Sequence, residues 1–193
     1  MTGTNETELP QLIVYCGPMY SGKSTALYNV WNYNKVAKKT IQVIKPIIDN
    51  RYSSDSIITH SKKEIDKEYV ACLSLDLPKE EWKNINFGAE IFLIDEIQFF
   101  NIEIIDLIKR LLNTGKTIHV AGLDLDSKGN PFGQMPSILS LATSVQKIEG
   151  TCKKCGCQKA SRTFRKNEIK NDSQILIGGE DIYESRCFNC WKL

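Results

Sequence analysis

The run Gly17-Pro18-Met19-Tyr20-Ser21-Gly22-Lys23-Ser24, followed by Thr25, fits the spacing G-x-x-x-x-G-K-[ST]. Its chemistry is anion binding. A short loop between a strand and a helix converges backbone N–H groups on one phosphate, and glycine lets the backbone approach closely. The following helix aims its N-terminal N–H groups and dipole at the same anion. Lys23 adds a mobile charge for the β- and γ-phosphates, and Ser24 a hydroxyl for Mg²⁺. A chance match in a glycine-containing turn is disfavoured by context, since an apolar run precedes the loop and a helical pattern follows it.

The pair Asp95-Glu96 ends the apolar run Ile91–Ile94. An acidic residue at such a strand end holds Mg²⁺ in P-loop proteins. A carboxylate next to it points the other way and can accept a proton from an attacking hydroxyl or water. A solvated acidic turn is the bland reading, and it fits poorly directly after four apolar residues. These residues leave the attacker open: water would make an ATPase, a substrate hydroxyl a kinase.

Two C-x-x-C pairs, Cys152/Cys155 and Cys187/Cys190, stand 31 residues apart. Each offers two thiolates, and together they make a closed, structural Cys₄ zinc site with a large loop, about Arg162–Tyr183, tied at its base. A redox role for one pair is the competing reading. Cys157 is a competing ligand, but the spacing favours Cys155. Cys16 and Cys72 read as small buried hydrophobes.

The elements that must position these groups follow from periodicity. Leu12–Cys16 and Ile91–Ile94 read as buried strands, and Thr40–Lys45 as an alternating strand stopped by Pro46. Lys23 to about Lys39 reads as a helix burying Leu27, Val30, Trp31 and Val36. Asn101 is expected to cap a helix with Ile104, Ile105, Ile108, Leu111 and Leu112 inward, ending at Gly115. Thr117–Leu123 and Ser144–Ile148 read as strands and Pro136–Ala142 as a helix. Residues from Ile48 to about Lys67 read as a surface loop. His119 reads as a core histidine and Phe100 as a core residue.

Strands alternating with helices predict an α/β fold, a P-loop NTPase-type parallel sheet flanked by helices, with a small C-terminal zinc-ribbon or lasso module. The expected organisation is a flexible N-terminus over 1–10, a core over 11–150 and a zinc module over 151–193. The chain has 193 residues, 41% hydrophobic, with a formal net charge of +2. That near balance gives no case for nucleic acid or a membrane surface as partner, and no stretch reaches a bilayer-spanning length. Without a signal-like N-terminus, a cytoplasmic location is expected. A DNA-associated ATPase with the ribbon on nucleic acid is the competing function, and the charge balance weighs against it. A non-catalytic nucleotide binder is a third, opposed by the intact Lys23, Ser24, Asp95 and Glu96.

The GPMYSGKST loop, the DEIQFF segment and the terminal double C-x-x-C, taken in order, resemble the type II thymidine kinases. The resemblance runs from about Leu12 to Cys190 and includes IDNRYSS (Ile48–Ser54), Thr59-His60, GLD (Gly122–Asp124), PFG (Pro131–Gly133) and IGGEDIYESRC (Ile177–Cys187). It implies transfer of the ATP γ-phosphate to the 5′-hydroxyl of thymidine, with deoxyuridine also accepted, in nucleotide salvage. It implies a homotetramer and feedback inhibition by dTTP. Glu96 matches the general base and Arg51 the arginine near the transferring phosphate. The Gly17–Thr25 loop, Asp49, Asp95, Glu96 and Gln98 match the ATP side, with Ser24 and Asp95 toward Mg²⁺. Met19, Phe99, Leu123 and Phe132 match apolar residues around thymine. Thr163, Ile175, Leu176, Ile177, Gly178, Gly179 and Tyr183 match the loop that closes over the base. Departures fall at Phe164, where relatives carry a basic residue, and at Leu125-Asp126.

Overall fold

The computed structural model describes residues 9–47, 64–166 and 178–191. Asp49, Arg51, Ile175, Leu176 and Ile177 lie outside them, as do Thr59, His60 and most of the N-terminal lead. Six strands form one sheet: β1 (Gln11–Cys16), β2 (Ile41–Pro46), β3 (Val70–Leu73), β4 (Ile91–Ile94), β5 (Thr117–Gly122) and β6 (Ser144–Lys147). Their order is β3-β2-β4-β5-β1-β6, and every neighbouring pair is parallel. Helices α1 (Lys23–Val36), α2 (Glu103–Asn113) and α3 (Met135–Leu141) cover it. The expected parallel α/β architecture is therefore what the chain adopts.

The apolar runs explain the sheet. β4 (IFLI) is buried along its whole length, because a central parallel strand meets helices on both faces. Alternate residues of β1 serve opposite cores. Ile13 and Tyr15 pack with Leu27 and Trp31 of α1. Leu12, Val14 and Cys16 pack with Ile104, Ile108 and Leu111 of α2 and Ile138 of α3. Full burial of a side chain such as Leu27 contributes about 1.5–3 kcal/mol.

Several local expectations are corrected. α1 ends at Val36, not near Lys39, because Lys38 takes a left-handed φ of 56° and turns the chain. Val36 is thereby left exposed at 76%. β2 includes Pro46 and is buried almost throughout, so its sequence alternation does not mark a wet face. Asn101 does not cap α2 with its side chain; its amide donates to Asp76 Oδ1 at 2.9 Å. Cys72 is only half-buried. The short strand β3 and the 3-10 turn Lys79–Asn84 were not foreseen.

His119, expected in the core, is half-buried against Tyr15. Its Nδ1 lies 3.2 Å from the Tyr15 hydroxyl, with the two rings stacked. Burial lowers its pKa to about 4. Between that value and the ordinary 6.5 the unfolded chain binds the proton and the folded one does not. Stability is thus complete above 6.5 and declines as pH falls toward 4. His119→Gln should flatten that decline by roughly 1–3 kcal/mol, read from urea unfolding at pH 7 and pH 4.5. An unchanged slope would show that the ring does not enter the fold uncharged.

A second, two-stranded antiparallel sheet joins β7 (Ala160–Arg165) and β8 (Tyr183–Cys187). Gly150 bridges to Ala160, so the six-stranded sheet hands over to this ribbon at the position where composition changes. Among the described residues, no helix is long and apolar enough to cross a membrane.

Candidate active site and cysteine cluster

β5 lies between β4 and β1, so the segments leaving these three parallel strands meet at the carboxyl end of the sheet. The phosphate loop leaves β1. Gly17 has φ 142°, and a Cβ there would lie 2.2 Å from the Ile148 carbonyl oxygen, so only glycine fits beneath the segment leaving β6. Gly22 has φ 95° and opens α1. Tyr20, with φ 61°, carries strain in the same loop. Lys23 is buried and folds back over the loop, its Nζ donating to the Pro18 carbonyl at 2.6 Å. Burial lowers its pKa, while the charges of Glu96, Asp95 and Asp124 oppose that. Ser24 Oγ lies 3.5 Å from Asp95 Oδ1.

Asp95 and Glu96 leave β4. Asp95 is buried, and burial together with the neighbouring Glu96 charge pushes its pKa up to about 7. A buried carboxylate beside a hydroxyl is a hard-oxygen pair that suits Mg²⁺. Glu96 has left-handed φ 50°, ψ 39°, an uncommon conformation for a non-glycine residue, which turns its side chain off the strand axis. The carboxylate is held by Gln98, whose Nε2 donates to Glu96 Oε2 at 2.6 Å. The other end of the same amide, Oε1, accepts from the Leu123 N–H at 3.0 Å.

Gln98 is only 2% exposed, and two glycines make room for it. A Cβ on Gly122 would meet Gln98 Oε1 at 2.7 Å, and one on Gly133 (φ 51°) would meet the Gln98 carbonyl at 2.2 Å. Gln98 reads from the sequence as part of the ATP side; here its amide is committed to Glu96 and Leu123. Gln98→Leu keeps the bulk, frees Glu96 and leaves the Leu123 N–H unpaired. Turnover should fall roughly tenfold to a hundredfold through misplacement of the carboxylate. Steady-state kinetics beside an unfolding curve would check this, and a loss of stability with kcat intact would refute it.

Of the expected thymine-side residues, Leu123 contacts this amide and Phe99 follows Gln98 in the chain. Leu123 and Phe132 are buried, and Phe99, half-buried, meets Phe132 edge-on with ring centroids 5.6 Å apart. Phe100 is core, as expected. Met19 N donates to Thr163 Oγ1 at 3.1 Å, which ties the phosphate loop to β7. Thr163 and Tyr183 are buried on the ribbon, and Tyr183 N donates to the Gly179 carbonyl at 2.9 Å.

Asp124 carried no role in the sequence reading. It leaves β5, pairs with Lys147 at 3.2 Å, and contributes to the field at Lys23. Its signal was available: like Asp95, it is an acid just past the end of a buried strand. The departures at Phe164 and Leu125-Asp126 also have local reasons. The Arg186 guanidinium covers the Phe164 ring at 3.3 Å. Leu125 bridges Pro131, and Asp126 Oδ1 accepts from the N–H groups of Lys128 and Asn130, both at 2.9 Å.

The sulfurs of Cys152, Cys155, Cys187 and Cys190 lie within 4.8 Å of one another. Cys155 and Cys187 Sγ are 3.8 Å apart. A tetrahedron with Zn–S bonds of about 2.3 Å has edges of about 3.8 Å, so the set fits zinc. Burial would raise the Cys152 thiol, but backbone N–H groups of Cys187, Cys155 and Lys154 outweigh it and hold it at about 6, which favours the thiolate a metal needs. Cys157 stands beside the four; its carbonyl accepts from Cys152 N at 2.8 Å.

Among solved structures, the chain is similar to the flagellar accessory protein FlaH from Methanocaldococcus jannaschii. Identity is 12%, covering 72% of each chain, with a TM-score of 0.45. It is also similar to domain III of the Thermotoga maritima replication initiation protein DnaA, at 16% identity over 75% of this chain and 57% of that one, with a TM-score of 0.44. A family model described as thymidine kinase matches residues 10–191. That match begins just before β1 and ends at the tryptophan after the last cysteine, so it takes in the phosphate loop, the acidic pair and the ribbon alike: the chain belongs to the thymidine kinase family, the ATP:thymidine 5′-phosphotransferases.

Proposed function

We propose that this chain transfers the γ-phosphate of ATP to the 5′-hydroxyl of thymidine, accepts deoxyuridine as well, and uses Glu96 as the base. The observation that carries this reading is the Gln98 amide, which links the Glu96 carboxylate to the Leu123 N–H at the apolar wall. A base set by the same side chain that borders the acceptor pocket is oriented toward the acceptor rather than toward bulk water.

The parts divide the work. The Gly17–Thr25 backbone cradles the phosphates, and Lys23 leaves the Pro18 carbonyl to follow the γ-phosphate. Ser24 and Asp95 would hold Mg²⁺, which supplies charge neutralisation on the phosphate oxygens when bound. Phe99, Phe132, Leu123 and Met19 enclose thymine, and Thr163 and Tyr183 shield it from water; Ile175–Gly179 are assigned to the base by resemblance. Glu96 takes the 5′-hydroxyl proton as the oxygen attacks phosphorus. Arg51 and Asp49 are assigned to the transferring phosphate by resemblance. In this reading residues 11–150 form the kinase core and 151–193 the zinc module of a cytoplasmic homotetramer in nucleotide salvage. A dTTP molecule, carrying thymine and triphosphate together, would inhibit it.

The test is ADP release measured with thymidine, deoxyuridine, other nucleosides, DNA or none. Thymidine should raise the rate by orders of magnitude, with deoxyuridine next. ATP hydrolysis indifferent to every nucleoside but stimulated by DNA would sink the kinase reading and support the motor alternative.

A further inference from the structure

The last turn of the cysteine cluster ends in Trp191, a residue without a part in the chemistry above. Its backbone N–H donates to the Cys187 carbonyl at 2.9 Å, so its place is set by the turn that carries two of the four sulfurs. The indole lies on Gly129, where a Cβ would meet Trp191 Cη2 at 2.6 Å. Gly129 sits at the tip of a turn that Asp126 braces with main-chain and side-chain hydrogen bonds, so the ring rests on a braced turn that follows β5. The indole N–H donates to the Thr163 carbonyl at 3.2 Å. The hydroxyl of that same threonine accepts from Met19 N, inside the phosphate loop.

We propose that Trp191 is a positioning residue: it carries the set of the cysteine cluster, through Thr163, to the phosphate loop. The physical case is that one residue, Thr163, is fixed at its carbonyl by the cluster and fixes the loop with its hydroxyl. Thr163 itself is 4% exposed, so an unmade partner at its end of either contact is costly. The loop N–H at Met19 would otherwise be free to turn with the strained Tyr20 beside it. A cluster that looks purely structural thus acts on nucleotide affinity.

The proposal rests on Gly17–Thr25 being the nucleotide loop, and the probe is MgADP, with no acceptor present. Trp191→Phe keeps an aromatic ring on Gly129 and deletes the indole N–H. Thr163→Val deletes the acceptor for Met19 and leaves the cluster untouched. Each should weaken MgADP binding about threefold to tenfold, the worth of one hydrogen bond, by calorimetry on the zinc-loaded protein. Amide exchange at Met19 should quicken in both. The double variant should bind no more weakly than the weaker single one, because both cut one chain of contacts. Additive losses would show two independent packing effects and overturn the relay. Wild-type affinity and exchange in both variants would overturn it too. A wild-type protein that fails to bind MgADP would instead strike the nucleotide-loop reading itself.

Discussion

Glu96→Gln should lower the thymidine-dependent turnover by a factor on the order of 10² to 10⁴, the range that a positioned base contributes, while MgADP affinity stays within about twofold. The substitution isolates the proton acceptor. The amide has the shape of the carboxyl group and still offers an oxygen to Gln98 Nε2, so the contact that orients residue 96 survives. The left-handed backbone at φ 50° strains Gln as it does Glu, so folding is not taxed further. Removing the charge also relieves Asp95, whose pKa is raised by burial and then by Glu96, and so does not weaken the proposed metal side. Single-turnover measurements at saturating ATP and thymidine would separate chemistry from release. Wild-type turnover in the variant would remove Glu96 from the role of base. A loss of nucleotide affinity equal to the loss of turnover would assign it to binding.

Much of this site was legible because its signals are local. A strand, a glycine loop and a helix N-terminus are contiguous, so Gly17–Thr25 could be read in one pass. The four apolar residues of β4 announce the acids that follow them. Paired cysteines announce a metal by spacing alone. What stayed hidden depends on contacts between distant segments. The orientation of Gln98 is fixed by Gly122 and Gly133, and the Met19–Thr163 bond spans 144 residues. Nothing near Trp191 in the sequence says that Gly129 will seat it.

The missed elements of the fold have a similar cause. β3 is four residues at a sheet edge, alternately half-buried and buried, too short a run for a period to emerge in the sequence. The 3-10 turn Lys79–Asn84 is mostly charged and is held by Trp82 in the core and by Glu81, whose carboxylate accepts from Ser74 N–H and Oγ at 2.8 Å. Asn101 does not cap the helix with its side chain; its Nδ2 instead donates to Asp76 Oδ1, a residue 25 positions away. Val36 shows the limit of periodicity: the pattern continued for longer than the helix did.

Removal of zinc should abolish thymidine phosphorylation, by a factor above about 10², and leave the six-stranded core folded. The ribbon has little apolar packing of its own to hold it together. Its buried apolar cluster consists of Cys152, Ala160 and Cys187, with Cys157 and Cys190 beside them. β7 and β8 are a two-stranded pair, and such a pair is at best marginal in water without a hydrophobic face or further strands. Structural zinc bound by thiolates supplies folding free energy of about 10–16 kcal/mol in small modules, enough to order a ribbon that its own packing cannot. The two main cores draw on β1, β2, β4, β5 and the helices, and include none of the described residues from 151 to 191. Chelation, or Cys190→Ser, should therefore take zinc from one per chain to none, make 151–191 protease-sensitive and leave most of the far-ultraviolet dichroism. Thymidine turnover should vanish because Thr163 and Tyr183 lose their frame, while MgADP still binds, weakened by about tenfold at most, the worth of the hydrogen bond from Met19 N to Thr163 Oγ1. Zinc-free protein with full thymidine turnover and a protease-resistant ribbon would overturn the structural role of the four cysteines. Collapse of the core along with the ribbon would show instead that the two sheets fold as one cooperative unit.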